Sequence, residues 1–138
     1  MRRYLVVANQ TLGGEHLTEM VKELLAGPCR FYVLVPATIP ADQAVYTEGQ
    51  AEALARRRLD DALARFRQMG AEAEGEVGDA NPLEAIADVL RDQEFDEIVL
   101  STLSPGASRW LKQDLPHRVE RSFELPVIHI VGQPETVE

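Results

Sequence analysis

The chain is poor in the residues that staple, anchor or catalyse. It holds one cysteine, Cys29, in 138 residues. A single cysteine excludes an internal disulfide and a cysteine-built metal site, and it predicts a reducing compartment, the cytoplasm. Basic residues are outnumbered, 14 Lys and Arg against 23 Asp and Glu, for a net charge of −9. An acidic surface repels phosphate backbones, so nucleic acid is not an expected partner. No apolar run approaches the roughly 20 residues of a membrane-spanning helix. The apolar run after the first three residues, 4–8, is short, and polar residues follow it at once, so no signal peptide is expected. His16, His117 and His129 lie far apart, and no metal-ligand spacing, Ser/His/Asp order or carboxylate dyad stands out. The loop Asn9–Gly14 (NQTLGG) lacks the lysine and spacing of a phosphate-binding P-loop, and it reads as a turn into the first helix.

What is present is a regular alternation. Apolar residues make up 45% of the chain, enough for one domain over residues 1–138 with a core of its own. Tyr4–Ala8 (YLVVA) is a continuous apolar run of the kind buried in parallel sheets. Leu17, Met20, Val21, Leu24 and Leu25 then recur at helical spacing, and Gly27-Pro28 stops that helix. Phe31–Val35 is a second strand. Ala51, Ala55, Leu59, Ala62, Phe66 and Met69 stripe a long helix, about 47–69, ended by Gly70. Residues 71–77 alternate small or apolar residues with Glu72, Glu74 and Glu76, which suits a charged edge strand. Asn81-Pro82-Leu83-Glu84 is a helix start, with Asn as cap and Pro in the first turn. Strand Glu97–Ser101, a Ser/Pro/Gly loop, a helix near Leu115–Phe123 and strand Val127–Val131 complete the order βαβαβαβαβ. That order predicts an α/β fold, with a five-stranded parallel sheet in the order 3-2-1-4-5 and helices on both faces.

In such a sheet ligands bind outside the carboxyl ends of the strands. The stretch of greatest interest is therefore the loop after Ser101. Arg109, Lys112 and Arg118 cluster around it, Ser101, Thr102, Ser104 and Ser108 add hydroxyls, and Gly106 is its one glycine. Trp110 beside it is expected to pack over the open end of the sheet. His129 interrupts an apolar strand and reads as a satisfied sheet histidine. Arg56-Arg57-Arg58 has Glu52, Asp60 and Asp61 at paired spacing and reads as a solvated, salt-bridged helix face.

The motifs, taken in order, resemble the universal stress protein family over about residues 3–132. Gly78-Asp79-Ala80-Asn81-Pro82 looks like that family's entry to its third helix. Arg118-Val119 followed by Leu125-Pro126-Val127 looks like its closing Arg-Val and Cys-Pro-Val pairs. The resemblance implies a Rossmann-like, adenine nucleotide alpha hydrolase-like domain whose last loop cradles ATP or AMP, and a homodimer joined through the last strand, Val127–Val131. It also implies the candidate nucleotide or anion site: Asn9, Val35, Ser101, Ser104, Gly106, Arg109, Lys112 and Asp114.

The chain departs from that pattern in two places. The family's acidic residue after the first strand aligns with Asn9. Its Gly-x2-Gly-x9-Gly-Ser/Thr motif falls on Leu100, Leu103, Gln113 and Asp114, or, one residue along, on Ser101, Ser104 and Asp114. Glycines in phosphate loops let backbone N–H groups reach the anion. Asp114 at a helix start is expected to cap that helix's own N–H groups, and its charge repels phosphate. Pro116 removes a further donor. The expected protein is a cytoplasmic binding or regulatory module, not an enzyme, and weak or null for ATP. The alternative is a nucleotide-binding member with slow hydrolysis that uses Arg109 and Lys112. A receiver domain lacks its acidic pair here, and a flavodoxin lacks its Ser/Thr-rich phosphate loop.

Overall fold

Period-two patterning drives the architecture. In a computed structural model of the protein, successive residues of the first strand face opposite sides of a sheet. The structure describes residues 1–38, 47–103, 109–112 and 114–132, with Arg109 and Lys112 as backbone only. Tyr4 and Val6 enter one apolar cluster, and Leu5 and Val7 enter the other. The sheet therefore needs helices on both faces, and it has them.

The elements are β1 (Arg2–Val7), α1 (Glu15–Leu24), β2 (Cys29–Pro36), α2 (Glu48–Gln68), β3 (Glu72–Gly78), α3 (Pro82–Asp92), β4 (Glu97–Thr102), α4 (Arg109–Lys112), α5 (Leu115–Phe123) and β5 (Val127–Val131). The strands form one parallel sheet in the order β3-β2-β1-β4-β5, as expected. The switch point lies between β1 and β4. Leu17 and Val21 of α1 and Leu59, Ala62 and Phe66 of α2 pack one face. Ile86 and Val89 of α3, Leu115 and Val119 of α5, and Trp110 pack the other. Trp110 is thus a core residue of that face.

Local signals behave as the sequence suggests in most places. Thr47 and Gln50 make a reciprocal capping box at the start of α2. Asn81 accepts from the N–H groups of Leu83 and Glu84. Gly70, with φ +93°, closes α2 in the left-handed region where glycine is unstrained. Gly75 has a different reason to be glycine. A Cβ there would lie 2.2 Å from the Val33 carbonyl oxygen and 2.8 Å from Leu59 Cδ1, so its absence lets α2 sit close on β3.

Strand boundaries move by one or two residues; β2, expected over Phe31–Val35, runs over Cys29–Pro36. β1 starts at Arg2, not Tyr4, because its charged residues are paired across the sheet. Arg2 forms an ion pair with Glu97, and the Arg3 N–H donates to Asp96 Oδ2 at 2.7 Å. The one-turn helix α4 is additional to the expected elements.

Candidate functional site

The carboxyl ends of β1 and β4 collect the buried polar side chains of the described residues. Asn9, Thr11, Ser101 and Thr102 are all buried, at 7%, 2%, 1% and 2% exposure. Among the described residues they are the buried polar side chains, and all four stand at the switch point. In an open parallel sheet that is where a ligand is expected.

Each of them is bonded to protein. Asn9 follows β1, and its Nδ2 donates to the Pro36 carbonyl at 2.7 Å, tying the ends of β1 and β2 together. Its Oδ1 accepts from Arg58 Nη1 at 2.6 Å. Arg58 projects from α2, one residue before buried Leu59. Its sister two turns on, Arg65, donates to the Leu12 carbonyl at 3.1 Å. The two arginines therefore hold the loop between β1 and α1 from above. Arg58 is not part of a solvated face, contrary to the reading of the 56–58 triplet.

Thr11 and Ser101 share a hydrogen bond of 2.6 Å between hydroxyls. Gly132, just past β5, closes over them. A Cβ at Gly132 would come within 3.2 Å of Thr11 Cβ and 3.5 Å of Ser101 Oγ. Its N–H donates to the Thr102 carbonyl at 2.8 Å. The Thr102 hydroxyl donates to the Leu103 carbonyl at 3.0 Å and meets His129 Nε2 at 2.8 Å. His129 is thus a satisfied sheet histidine, as expected. Partial burial holds its pKa below the ordinary histidine value.

Asp114 requires a correction. It stands at the start of α5 but makes no side-chain cap. Its backbone is left-handed, φ 55° and ψ 40°, which turns the carboxylate away from the helix N–H groups. The carboxylate instead meets His117 Nδ1 at 3.0 Å, with both side chains exposed. Left-handed backbone is the conformation that glycine adopts without strain.

Of the other expected site residues, Val35 is buried in β2. Ser104, Gly106, Ser108 and Gln113 lie outside the described residues, as do the side chains of Arg109 and Lys112. The structure brings Asn9, Val35 and Ser101 to one end of the sheet. Sequence reasoning missed Thr11 and Arg58. Thr11 sat in a loop read only as a turn, and the signal for Arg58 was its place beside the buried stripe of α2.

No protein-family model matches the chain, and no curated protein matches it. Solved structures do. One is a universal stress protein in complex with cAMP, at 13% identity over 96% of this chain and 98% of that one, with a TM-score of 0.64. A second is the universal stress protein from Archaeoglobus fulgidus in complex with dAMP, at 19% identity over 94% and 97%, with a TM-score of 0.63. The fold is that of the universal stress proteins. A third match, a protein of that family from Burkholderia pseudomallei, is 20% identical over 93% and 94% of the two chains, with a TM-score of 0.60. The universal stress fold thus extends over nearly all of this chain. No described helix is long and apolar enough to cross a membrane.

Proposed function

We propose that this protein is a universal stress protein-type binding and regulatory module of the cytoplasm, not an enzyme, that binds ATP weakly or not at all. One observation carries the reading: the switch-point polar groups are already bonded within the protein. The Asn9 amide holds the Pro36 carbonyl and Arg58, and the Thr11 hydroxyl meets that of Ser101. A nucleotide entering here would have to break bonds already made, and only the surplus of new contacts over old ones counts as affinity. Pro116 in the first turn of α5 and the charge of Asp114 act in the same direction.

The dimer belongs to the same proposal. β5 is an edge strand bonded on one side to β4, and Val131 on it is 43% exposed. An uncovered apolar edge invites strand pairing, and two-fold symmetry makes that pairing antiparallel. Light scattering at micromolar concentration is expected to report a dimer, and a monomer refutes this part.

Calorimetry tests the ligand reading. ATP is expected to bind no tighter than about 0.1–1 mM, or roughly 4–5.5 kcal/mol. The second reading, a nucleotide-binding member, is favoured by the cAMP and dAMP complexes of the two structural neighbours. Micromolar binding of ATP or AMP would hand the site to that reading, with Arg109 and Lys112 as its phosphate contacts.

A further inference from the structure

The free edge of β5 carries a histidine at its centre. Ladder bonds fix which backbone groups of this strand face out. The Ile98 N–H donates to the Pro126 carbonyl and the Gly132 N–H to the Thr102 carbonyl, and between them Leu100 lies in register with His129. In a parallel ladder such bonds fall on every second residue of a strand. Residues 126, 128, 130 and 132 therefore face β4, and the N–H and C=O groups of Val127, His129 and Val131 face outward. Side chains divide with the same period. Ile128 and Ile130 pack with the apolar cluster under α1, Val127 packs with the cluster under α5, and His129 shares the face of Val127.

The His129 ring is held in one place. The Thr102 hydroxyl donates its hydrogen to the Leu103 carbonyl, so toward the ring it can only accept, and His129 Nε2 carries the N–H of their 2.8 Å bond. A proton gained in acid goes to Nδ1 and leaves that bond intact, so the charge stays at the edge of β5. Leu100 and Thr102 of β4 stand beside His129, and α5 packs on the same face through Leu115 and Val119. The charged and titratable side chains described on α5 and its flanks, those of Asp114, His117, Arg118, Glu120, Arg121 and Glu124, are exposed. Burial is the one cause that lowers the His129 pKa.

We propose that His129 meets the partner's His129 at the two-fold axis of a β5-to-β5 dimer and makes that dimer pH-sensitive, formed while the imidazoles are neutral and loosened when they are protonated. The inference rests on the dimer proposed above and adds its register and its regulation. An antiparallel pair centred on His129 bonds every outward residue of β5, with Val127 opposite the partner's Val131. Any other two-fold register sets an outward residue against residues beyond the partner strand. Side chains directly opposite lie about 5 Å apart at Cβ, where like charges destabilise the pair. Pairing also adds burial, and both effects favour the neutral ring. The rest of the chain acts in the opposite sense. Its net charge, −9 at pH 7, shrinks toward zero near pH 4.8, so repulsion between copies weakens in acid. A dimer that loosens in acid therefore reports a specific group.

Sedimentation of the full chain at about pH 7.5 and about pH 5.5, on either side of the ordinary histidine value, reads the dimer Kd, with circular dichroism confirming the fold at both. The wild-type Kd is expected to rise about tenfold at the lower pH, one proton entering per imidazole. His129→Gln keeps a side chain that can donate to Thr102 and is expected to dimerise with a Kd that changes less than about twofold. His117→Gln, on the exposed end of α5, is expected to keep the full wild-type dependence. A wild-type dimer whose Kd is the same or lower in acid overturns the proposal while leaving the dimer standing. So does a pH dependence that survives His129→Gln. Monomers at both pH values, in wild type and His129→Gln alike, overturn the dimer itself and the switch with it.

Discussion

The two ends of this sheet differ in what their polar groups face. At the carboxyl end, side chains of 7% exposure or less are bonded within the protein: Asn9 to half-buried Arg58 and to the Pro36 carbonyl, and Thr11 to Ser101. At the amino end, Arg3, Arg30 and Arg67 line an open cleft over the rings of Phe31 and Phe95, which are themselves buried. Topology points to the carboxyl end as the ligand site. The side chains there are already bonded within the protein. The lesson is that a switch point is a place where a ligand fits only while its donors and acceptors are unengaged. Here one amide and two hydroxyls engage them from within.

The largest effect tests that closure. Asn9→Leu removes the buried amide with its bond to Arg58 and one of the two donors to the Pro36 carbonyl, the Thr38 N–H at 2.8 Å being the other, so it should cost about 2 kcal/mol in chemical denaturation. Arg67→Met at the amino end loses bonds at an exposed position and should cost no more than about 1 kcal/mol. Equal losses at the two ends would erase the distinction between a closed end and an open one.

A cycle on Thr11 and Ser101 sharpens it. Thr11→Val and Ser101→Ala each leave a buried hydroxyl without its partner, and each should cost about 1–2 kcal/mol. The double variant removes both hydroxyls and should cost less than the sum, with a coupling of at least about 0.5 kcal/mol. Strict additivity would mean that the contact of 2.6 Å contributes nothing.

Most of the fold was legible because its signals are local and repeated. Apolar runs of strand length, the Asn81-Pro82 helix start and the Gly70 stop each act within a few residues. The strand order followed from their alternation. The site was less legible because its decisive bonds span the chain. Asn9 to Arg58 crosses 49 residues and Thr11 to Ser101 crosses 90. Nothing in the triplet at 56–58 says which arginine turns inward. The α2 register decides it, by placing Arg58 next to Leu59. Asp114 misled for a related reason. Aspartate before a helix is ordinarily a cap, but a left-handed backbone at that residue rotates its carboxylate out of reach.

That backbone gives a smaller, opposite effect. Asp114→Gly should raise stability by about 0.5 kcal/mol, since relief of the left-handed strain exceeds the loss of an exposed pair with His117. The same change removes a carboxylate from the carboxyl end. It should tighten ATP by no more than about tenfold if the Asn9 and Thr11 bonds are what close the site. A hundredfold gain would show that Asp114 alone was the lock, and that the end is closed by charge rather than by bonding.

The smallest effect is in pH, where the two ends should answer to opposite extremes. His129, at the carboxyl end, has its pKa lowered by partial burial. A lowered histidine binds its proton less readily when folded than when unfolded. Its contribution is therefore full above the unfolded value of about 6.5 and is lost as pH falls through the folded one. Tyr32, at the amino end, has its pKa raised to about 12, by burial first and by Glu76 second. A raised tyrosine loses its proton more readily when unfolded. Its contribution is full below about 10 and is lost as pH rises toward 12. Thermal unfolding across pH should therefore show an acid slope that His129→Gln reduces and an alkaline slope that Tyr32→Phe reduces, with the remainder from Cys29, whose pKa burial also raises. Neither substitution should touch the other's slope, because the groups sit at opposite ends of the strands and share no partner. An alkaline slope left unchanged by Tyr32→Phe would mean that Tyr32 titrates no higher in the folded chain than in the unfolded one, and would leave the slope to Cys29.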